Sequence, residues 1–230
     1  MGYRTALFDF DGTLADTKQC SIVATRKTFE HFGFQVPTDE RIMAGMGIPL
    51  EVDLPKMIGR TFSERVLDEI LDVFRNFYQE SEQDTIRSFP HIPEVLSALK
   101  NSGVSIALVT SKSAAVAKRN VGQLQLGRWL DTMVCFGDSQ TLRPKPAPDG
   151  VYAALKKLGD PSPDDSIMIG DAIYDVQMGQ AAGIRTCAVT WGSGSDAELK
   201  AADPDYLLDR PEELETVILE AKSTSRTLHF

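Results

Sequence analysis

Two hydrophobic textures alternate along the chain. In the first, short apolar runs rich in β-branched residues recur at 5–10, 104–110, 132–136, 166–170 and 185–190, with a weaker run at 205–208. Runs that are apolar on both sides suit strands buried in a parallel sheet. Between them lie segments with helical spacing. Segment 93–102 carries Val95, Leu96 and Leu99 before Gly103; segment 149–158 carries Val151, Leu155 and Leu158 before Gly159; segment 172–182 ends at Gly183. Glycine just past the last periodic residue stops a helix because it takes the left-handed conformation without a Cβ penalty. Strand and helix in repetition predict an α/β fold with a doubly wound parallel sheet.

The second texture, 17–87, contains no convincing strand. A helix is expected from Lys18 to Phe32, closed by Gly33, and a second one carries Phe62, Val66, Ile70, Phe74, Phe77 and Tyr78 on one face. A Gly/Pro-broken stretch, Ala44-Gly45-Met46-Gly47-Ile48-Pro49, separates them. The pattern predicts a discontinuous core, 1–16 and 88–222, with an all-helical insertion at 17–87 and a patternless tail at 223–230. Asp16 and Arg87 mark the two chain crossings, where hinge motion is expected.

Composition narrows the function classes. With 42% hydrophobic and 25% charged positions in 230 residues, the chain can bury a core. Its net charge of −9 argues against a nucleic-acid footprint or a polybasic membrane anchor. No apolar run approaches a membrane span, and Asp9 and Asp11 interrupt any signal-peptide pattern. Cys20, Cys135 and Cys187 are scattered, as are His31, His91 and His229, which fits reduced thiols in a cytoplasmic protein without a zinc site.

Candidate chemistry follows four of the predicted strands. Asp9-Phe10-Asp11-Gly12-Thr13-Leu14 places two carboxylates on the same side of a strand end. Such charges about 4 Å apart repel by roughly 4 kcal/mol at an effective dielectric near 20, so a cation or proton must compensate. Gly12 permits a tight turn whose N–H groups can hold an anion; a plain Asp-Gly turn is the bland alternative. Thr110-Ser111-Lys112 offers hydroxyls that can bond a phosphoryl oxygen or merely cap a helix. Arg143-Pro144-Lys145-Pro146 holds a lysine in an extended loop, able to stabilise a transferring phosphoryl group or simply be solvated. Gly170-Asp171-Ala172-Ile173-Tyr174-Asp175 adds two more carboxylates, of which Asp171 could serve as a helix cap.

All four elements stand just after strands, the edge where open parallel sheets bind ligands. Four carboxylates, a hydroxyl and a lysine, without histidine or thiol, point to Mg2+. In this order and spacing, DxDGT, Thr110, Lys145 and GDxxxD resemble the haloacid dehalogenase superfamily over nearly the whole chain, specifically phosphatases with a small helical cap after the first motif. ALVTSK, RPKPAPD and GDAIYDVQMGQAAG are similar to the phosphoglycolate phosphatase-like subgroup, although Ser111 stands where that subgroup often has Asn.

The resemblance implies Mg2+-dependent hydrolysis of a small-metabolite phosphate monoester. Asp9 would be the nucleophile forming an aspartyl-phosphate, and Asp11 the general acid and then base. Asp9, the main-chain carbonyl of Asp11, and Asp171 would bind the metal, with Asp175 behind them. Gly12, Thr13, Thr110, Ser111 and Lys145 would hold the phosphoryl group, and the cap would close over it. Dehalogenases of the superfamily lack a carboxylate at position 11, so Asp11 favours phosphate esters or anhydrides; a phosphonate hydrolase would want a cap lysine in a clear motif. Nucleotides, pyrophosphate and sugar phosphates stay open, with Arg41 or Lys56 as conceivable contacts for a substrate carboxylate. A monomer or a homodimer is expected.

Two other readings fit part of the pattern. A β-phosphoglucomutase-like mutase shares core and cap, but would carry a histidine where this chain reads Gln19-Cys20-Ser21-Ile22 and an arginine near Leu50. A receiver-like phosphoacceptor switch also uses an acidic Mg2+ pocket with Thr/Ser and Lys. It has no helical insertion after its first strand, and it puts the acidic pair and the phosphoacceptor on different strands.

Overall fold

Strand β1 (Thr5–Phe8) is buried at every position, and its alternating side chains organise both faces of the sheet. Ala6 and Phe8 join Ile106, Leu108, Ile167 and Ile169 in one cluster, covered by α5 (Ile92–Asn101) and α10 (Glu213–Glu220). Leu7 joins Ala107, Val109 and Met168 in the other, covered by α7 (Asp149–Lys157) and α8 (Ile173–Ala181). The period of two along a strand thus sorts neighbouring residues into two layers. The computed structural model describes residues 2–136 and 142–220; the tail expected at 223–230 lies outside the described residues.

Besides β1 the sheet contains β4 (Ser105–Ser113), β5 (Thr132–Phe136), β6 (Ser166–Gly170), β7 (Arg185–Val189) and β8 (Tyr206–Leu208). Among the described residues its six strands run in the order β5-β4-β1-β6-β7-β8, every pairing parallel. Successive strands therefore go outward one way from β1 and then, from β6, outward the other way. That reversal between β1 and β6 is the switch point at which a doubly wound sheet opens a crevice for ligands. A receiver winds its strands in a different order.

Between β1 and β4 the chain makes α1 (Lys18–Phe32), α2 (Asp39–Met43), α3 (Leu50–Ile58) and α4 (Glu64–Thr85). Gly33 closes α1 at φ +67°, as its position predicts. Two short strands flank this block: β2 (Ala15–Asp16) pairs antiparallel with β3 (Arg87–Ser88), so Asp16 and Arg87 face each other at the crossing. Two-residue strands are too short to leave a hydrophobic period, which is why sequence reading shows only the crossing and no ribbon.

Helix α4 departs from its expected face. Phe62 lies before the helix, and Val66 is 41% exposed; Leu67 packs inward instead. Ile70 and Leu71 belong to the insertion's own cluster with Phe29 and Leu54, whereas Phe74 and Tyr78 join the main core with Cys20 and Ala24. One helix spans two cores. Helices α6 (Ala114–Gln123) and α9 (Asp196–Ala201) complete the layers. No helix among the described residues is long and apolar enough to cross a membrane.

Candidate active site

The strand ends build the site. Asp9 follows β1, its backbone held by an N–H donated to the Ile169 carbonyl (2.9 Å), and its side chain is 4% exposed. Asp171 follows β6, and Asp175 sits in the first turn of α8. Carboxylate oxygens of Asp9, Asp171 and Asp175 lie within 4.8 Å of one another, all three residues buried. Lys145 reaches in from the loop before α7, its Nζ 2.5 Å from Asp9 Oδ1 and 2.6 Å from Asp175 Oδ1.

Electrostatics here are unbalanced. With all three carboxylates ionised, one ammonium would leave two negative charges without a cation among the described residues, the charge of one divalent ion. Burial, then repulsion from Asp175, Asp11 and Asp171, holds the Asp9 carboxyl well above the ordinary carboxylate range, although Lys145 pulls the other way. Asp171 is pushed up to about 6, by burial first and Asp175 second, against the pull of the Ser193 N–H and hydroxyl and of Lys145. Burial alone would lower Lys145, but Asp175 and Asp9 overcome it and raise its pKa. The donor set is oxygen only, which suits a hard cation and no soft one. Three preplaced carboxylates and the charge deficit fit a divalent metal.

Most of the expected residues meet here, several in unexpected roles. Gly12, at φ +77°, donates its N–H to the Ala15 carbonyl at 2.8 Å, so that group is spent on the turn rather than offered to an anion. Its missing side chain matters more: a Cβ there would overlap the Asp171 carboxylate. Thr13 is fully buried, and its hydroxyl donates to Asp171 Oδ1 at 3.4 Å. Thr110, 4% exposed, lies within β4 where the pairing with β5 shifts register, and accepts from the Lys112 N–H (3.2 Å). The Ser111 hydroxyl donates to the Gly47 carbonyl (2.8 Å), tying the sheet edge to the 44–49 loop. Asp175, rather than Asp171, caps its helix, with Oδ2 accepting from the Ala172 N–H (3.1 Å).

The Asp11 carboxylate turns away from the other three. Its Oδ1 accepts from the Thr17 hydroxyl (2.5 Å) and pairs with Lys112 Nζ (3.0 Å). Arg41 is spent on Asp53, at 2.8 and 3.2 Å, and Lys56 is exposed; neither lines the cavity described below.

Sequence reasoning missed Lys112, Thr17 and the Trp191–Ser193 turn. The Ser193 N–H and hydroxyl both donate to Asp171 Oδ2, at 2.7 and 3.0 Å. Trp191 Nε1 donates to the Thr13 carbonyl (3.1 Å), and Lys18 Nζ to the Gly192 carbonyl (2.6 Å). A signal existed: this Gly/Ser turn follows β7, at the same rim as the other motifs. Beside Asp11, between the rim and the insertion, lies a cavity of about 140 Å³ lined by Ser111, Lys112, Met46, Phe74 and Tyr78 among others.

Known proteins carry the same plan. A family described as haloacid dehalogenase-like hydrolase matches residues 6–189. The pyrophosphatase PpaX of Bacillus velezensis is 32% identical over 212 residues, covering 90% of this chain and 93% of that one. The phosphoglycolate phosphatase of Aquifex aeolicus is 31% identical over 214 residues, covering 92% and 94%. A solved structure of a haloacid dehalogenase-like family hydrolase from Streptococcus pneumoniae superposes with a TM-score of 0.79 at 27% identity, over 92% of this chain and 96% of its own. With a family match across most of its length, full-length relatives above 30% identity and the acidic rim in place, the chain belongs to the haloacid dehalogenase-like hydrolase family, among its phosphatases.

Proposed function

We propose that the protein is a cytoplasmic Mg2+-dependent phosphatase of small phosphorylated metabolites, with 2-phosphoglycolate the first candidate substrate, acting through a phosphorylated Asp9. The observation that carries this reading is the buried cluster of Asp9, Asp171 and Asp175 around Lys145 at the sheet's switch point. Asp9, Asp171 and the main-chain carbonyl of Asp11 would hold Mg2+, with Asp175 fixing Lys145 and the α8 terminus. When bound, the ion supplies the two positive charges the cluster lacks and screens the phosphoryl oxygens from the carboxylates.

In the first displacement an Asp9 oxygen bonds to phosphorus as the bond to the leaving oxygen breaks, and Asp11 gives that oxygen a proton. In the second, Asp11 takes a proton from a water that attacks phosphorus, releasing inorganic phosphate and restoring the Asp9 carboxylate. Thr17 and Lys112 hold Asp11 in place for both. Thr110 and Lys145 orient the phosphoryl group, and Lys145 limits charge build-up. Residues 17–87 act as the cap over a core made of 1–16 and 88–222.

Pyrophosphate is the second substrate to weigh, favoured by the relatives named pyrophosphatase. The mutase reading loses ground, because Cys20 is fully buried with its thiol on the Tyr78 carbonyl (3.4 Å) and Leu50 lines the cavity where an arginine would be wanted. Phosphate release with Mg2+ across 2-phosphoglycolate, pyrophosphate, sugar phosphates and nucleotides, ranked by kcat/KM, tests the assignment. Conversion of β-glucose 1-phosphate to the 6-phosphate faster than phosphate release would reverse it.

A further inference from the structure

We infer that Lys112 sets substrate choice, by favouring a leaving group that carries its own negative charge. The inference rests on the phosphatase reading above and concerns the cavity between rim and insertion, outside the phosphoryl subsite. A leaving group protonated by Asp11 must lie beside it, and the cavity beside it is lined by Lys112.

The charges around that cavity single out one cation. Its acids on the insertion are already satisfied: Glu51 pairs with Arg75 at 3.0 Å, and Asp53 is gripped at both oxygens by Arg41. Arg75, the other cation lining the space, is also held by Asp72 at 2.9 Å. Lys145 stands between two carboxylates at the phosphoryl side and does not line this cavity. Lys112 differs. Its Nζ meets Asp11 at 3.0 Å and donates to Tyr78 Oη at 2.7 Å. An ammonium carries three donors, so one remains without a partner among the described residues.

Its surroundings make that third donor consequential. The side chain is only 12% exposed, and its ammonium lies over the Tyr78 ring at 4.5 Å and the Phe10 ring at 5.9 Å. Aromatic faces hold the cation but give it little of the solvation that water would. A second anion arriving there meets a fixed, poorly hydrated charge. The cavity, at about 140 Å³, is well below the roughly 300 Å³ at which drug-sized ligand sites begin. A leaving group of a few heavy atoms fits there, and any anionic group on it stands close to Lys112. The class this selects is a phosphoester or anhydride whose leaving group is a short carboxylate or a second phosphate.

The experiment compares kcat/KM for 2-phosphoglycolate with that for its neutral isostere 2-phosphoglycolamide, in wild type, Lys112→Met and Lys112→Arg. Each pair of rates comes from one preparation, so the folded fraction cancels in the ratio. Wild type is expected to prefer the anionic ester by about tenfold or more, the scale of one charge-assisted hydrogen bond. Lys112→Met should bring the ratio near one, chiefly through KM, and Lys112→Arg should keep most of it. A wild-type enzyme that turns over p-nitrophenyl phosphate without preferring the anionic ester, or a Lys112→Met variant that keeps the preference, overturns the inference and leaves the phosphatase reading standing. Wild type inactive on all three compounds overturns the phosphatase reading itself.

Discussion

The sheet rim and the helical insertion handle charge in opposite ways. In the insertion, several acids are met by a base of their own: Arg26 with Asp39 at 2.8 Å, Arg41 with Asp53, Arg75 with Glu51. At the rim, carboxylates crowd into a buried space with too few cations, held by hydroxyls, backbone N–H groups and one lysine. Carboxylates paired in this way can supply shape without supplying reactivity. A region with a standing imbalance has room for an ion and an anionic ligand, as the proposed function requires, and such imbalance marks functional sites.

The sharpest break of that contrast is Asp9→Asn, which keeps shape and removes the proposed nucleophile. Phosphate release from p-nitrophenyl phosphate with Mg2+ should fall by about 10⁴-fold or more; wild-type-like turnover would show that the rim is not the reacting centre. Leu54→Ala strikes the other region, deleting a fully buried side chain of the insertion's cluster. About 2–5 kcal/mol should be lost, read by hydrogen exchange as faster opening of α3 while the amides of β1, β4 and β6 stay protected. Uniform loss of protection would mean that the two clusters unfold as one.

Ser193→Ala should weaken metal binding roughly 10-fold, because it removes the hydroxyl, one of the two donors that orient Asp171 Oδ2, and leaves only the backbone N–H; calorimetric Mg2+ titration of the variant measures it. The smallest effect is a pH dependence. Asp171 binds its proton more tightly when folded, near 6 rather than the ordinary 3.8. Its contribution therefore favours the fold at low pH and is lost as pH rises from about 4 through about 6. Mg2+ offsets that loss, so the Tm gain on adding it should be several degrees larger at about pH 7.5 than at about pH 5. Equal gains would argue that the metal sits away from Asp171.

Legibility followed the physics of each feature. The strands were visible because both faces are buried, and the rim motifs because short polar runs directly follow them. Gly33 announced the end of α1 through its conformation. The β2–β3 ribbon left no trace, since two residues hold no period. Lys112 was in plain sight beside Thr110 and Ser111, but its partners Asp11 and Tyr78 come from other parts of the chain, and only folding brings them together. Gly12 shows a subtler failure. Its residue type was informative, yet the constraint lay in the room it leaves for Asp171 and not in the hydrogen bond it offers.

Helix α4 carries a mechanical consequence. Its 22 residues form a rod of about 33 Å whose first half is embedded in the insertion and whose second half is rooted in the body of the protein. At the rooted end, Arg119 grips Glu82 through two bonds, at 2.8 and 3.1 Å, and Gln123 holds the Glu82 carbonyl. Widening the cavity would thus tilt a lever about a bolted foot, swinging Phe74 through a larger arc than Tyr78, so that the mouth could gape while the tyrosine stays beside Lys112.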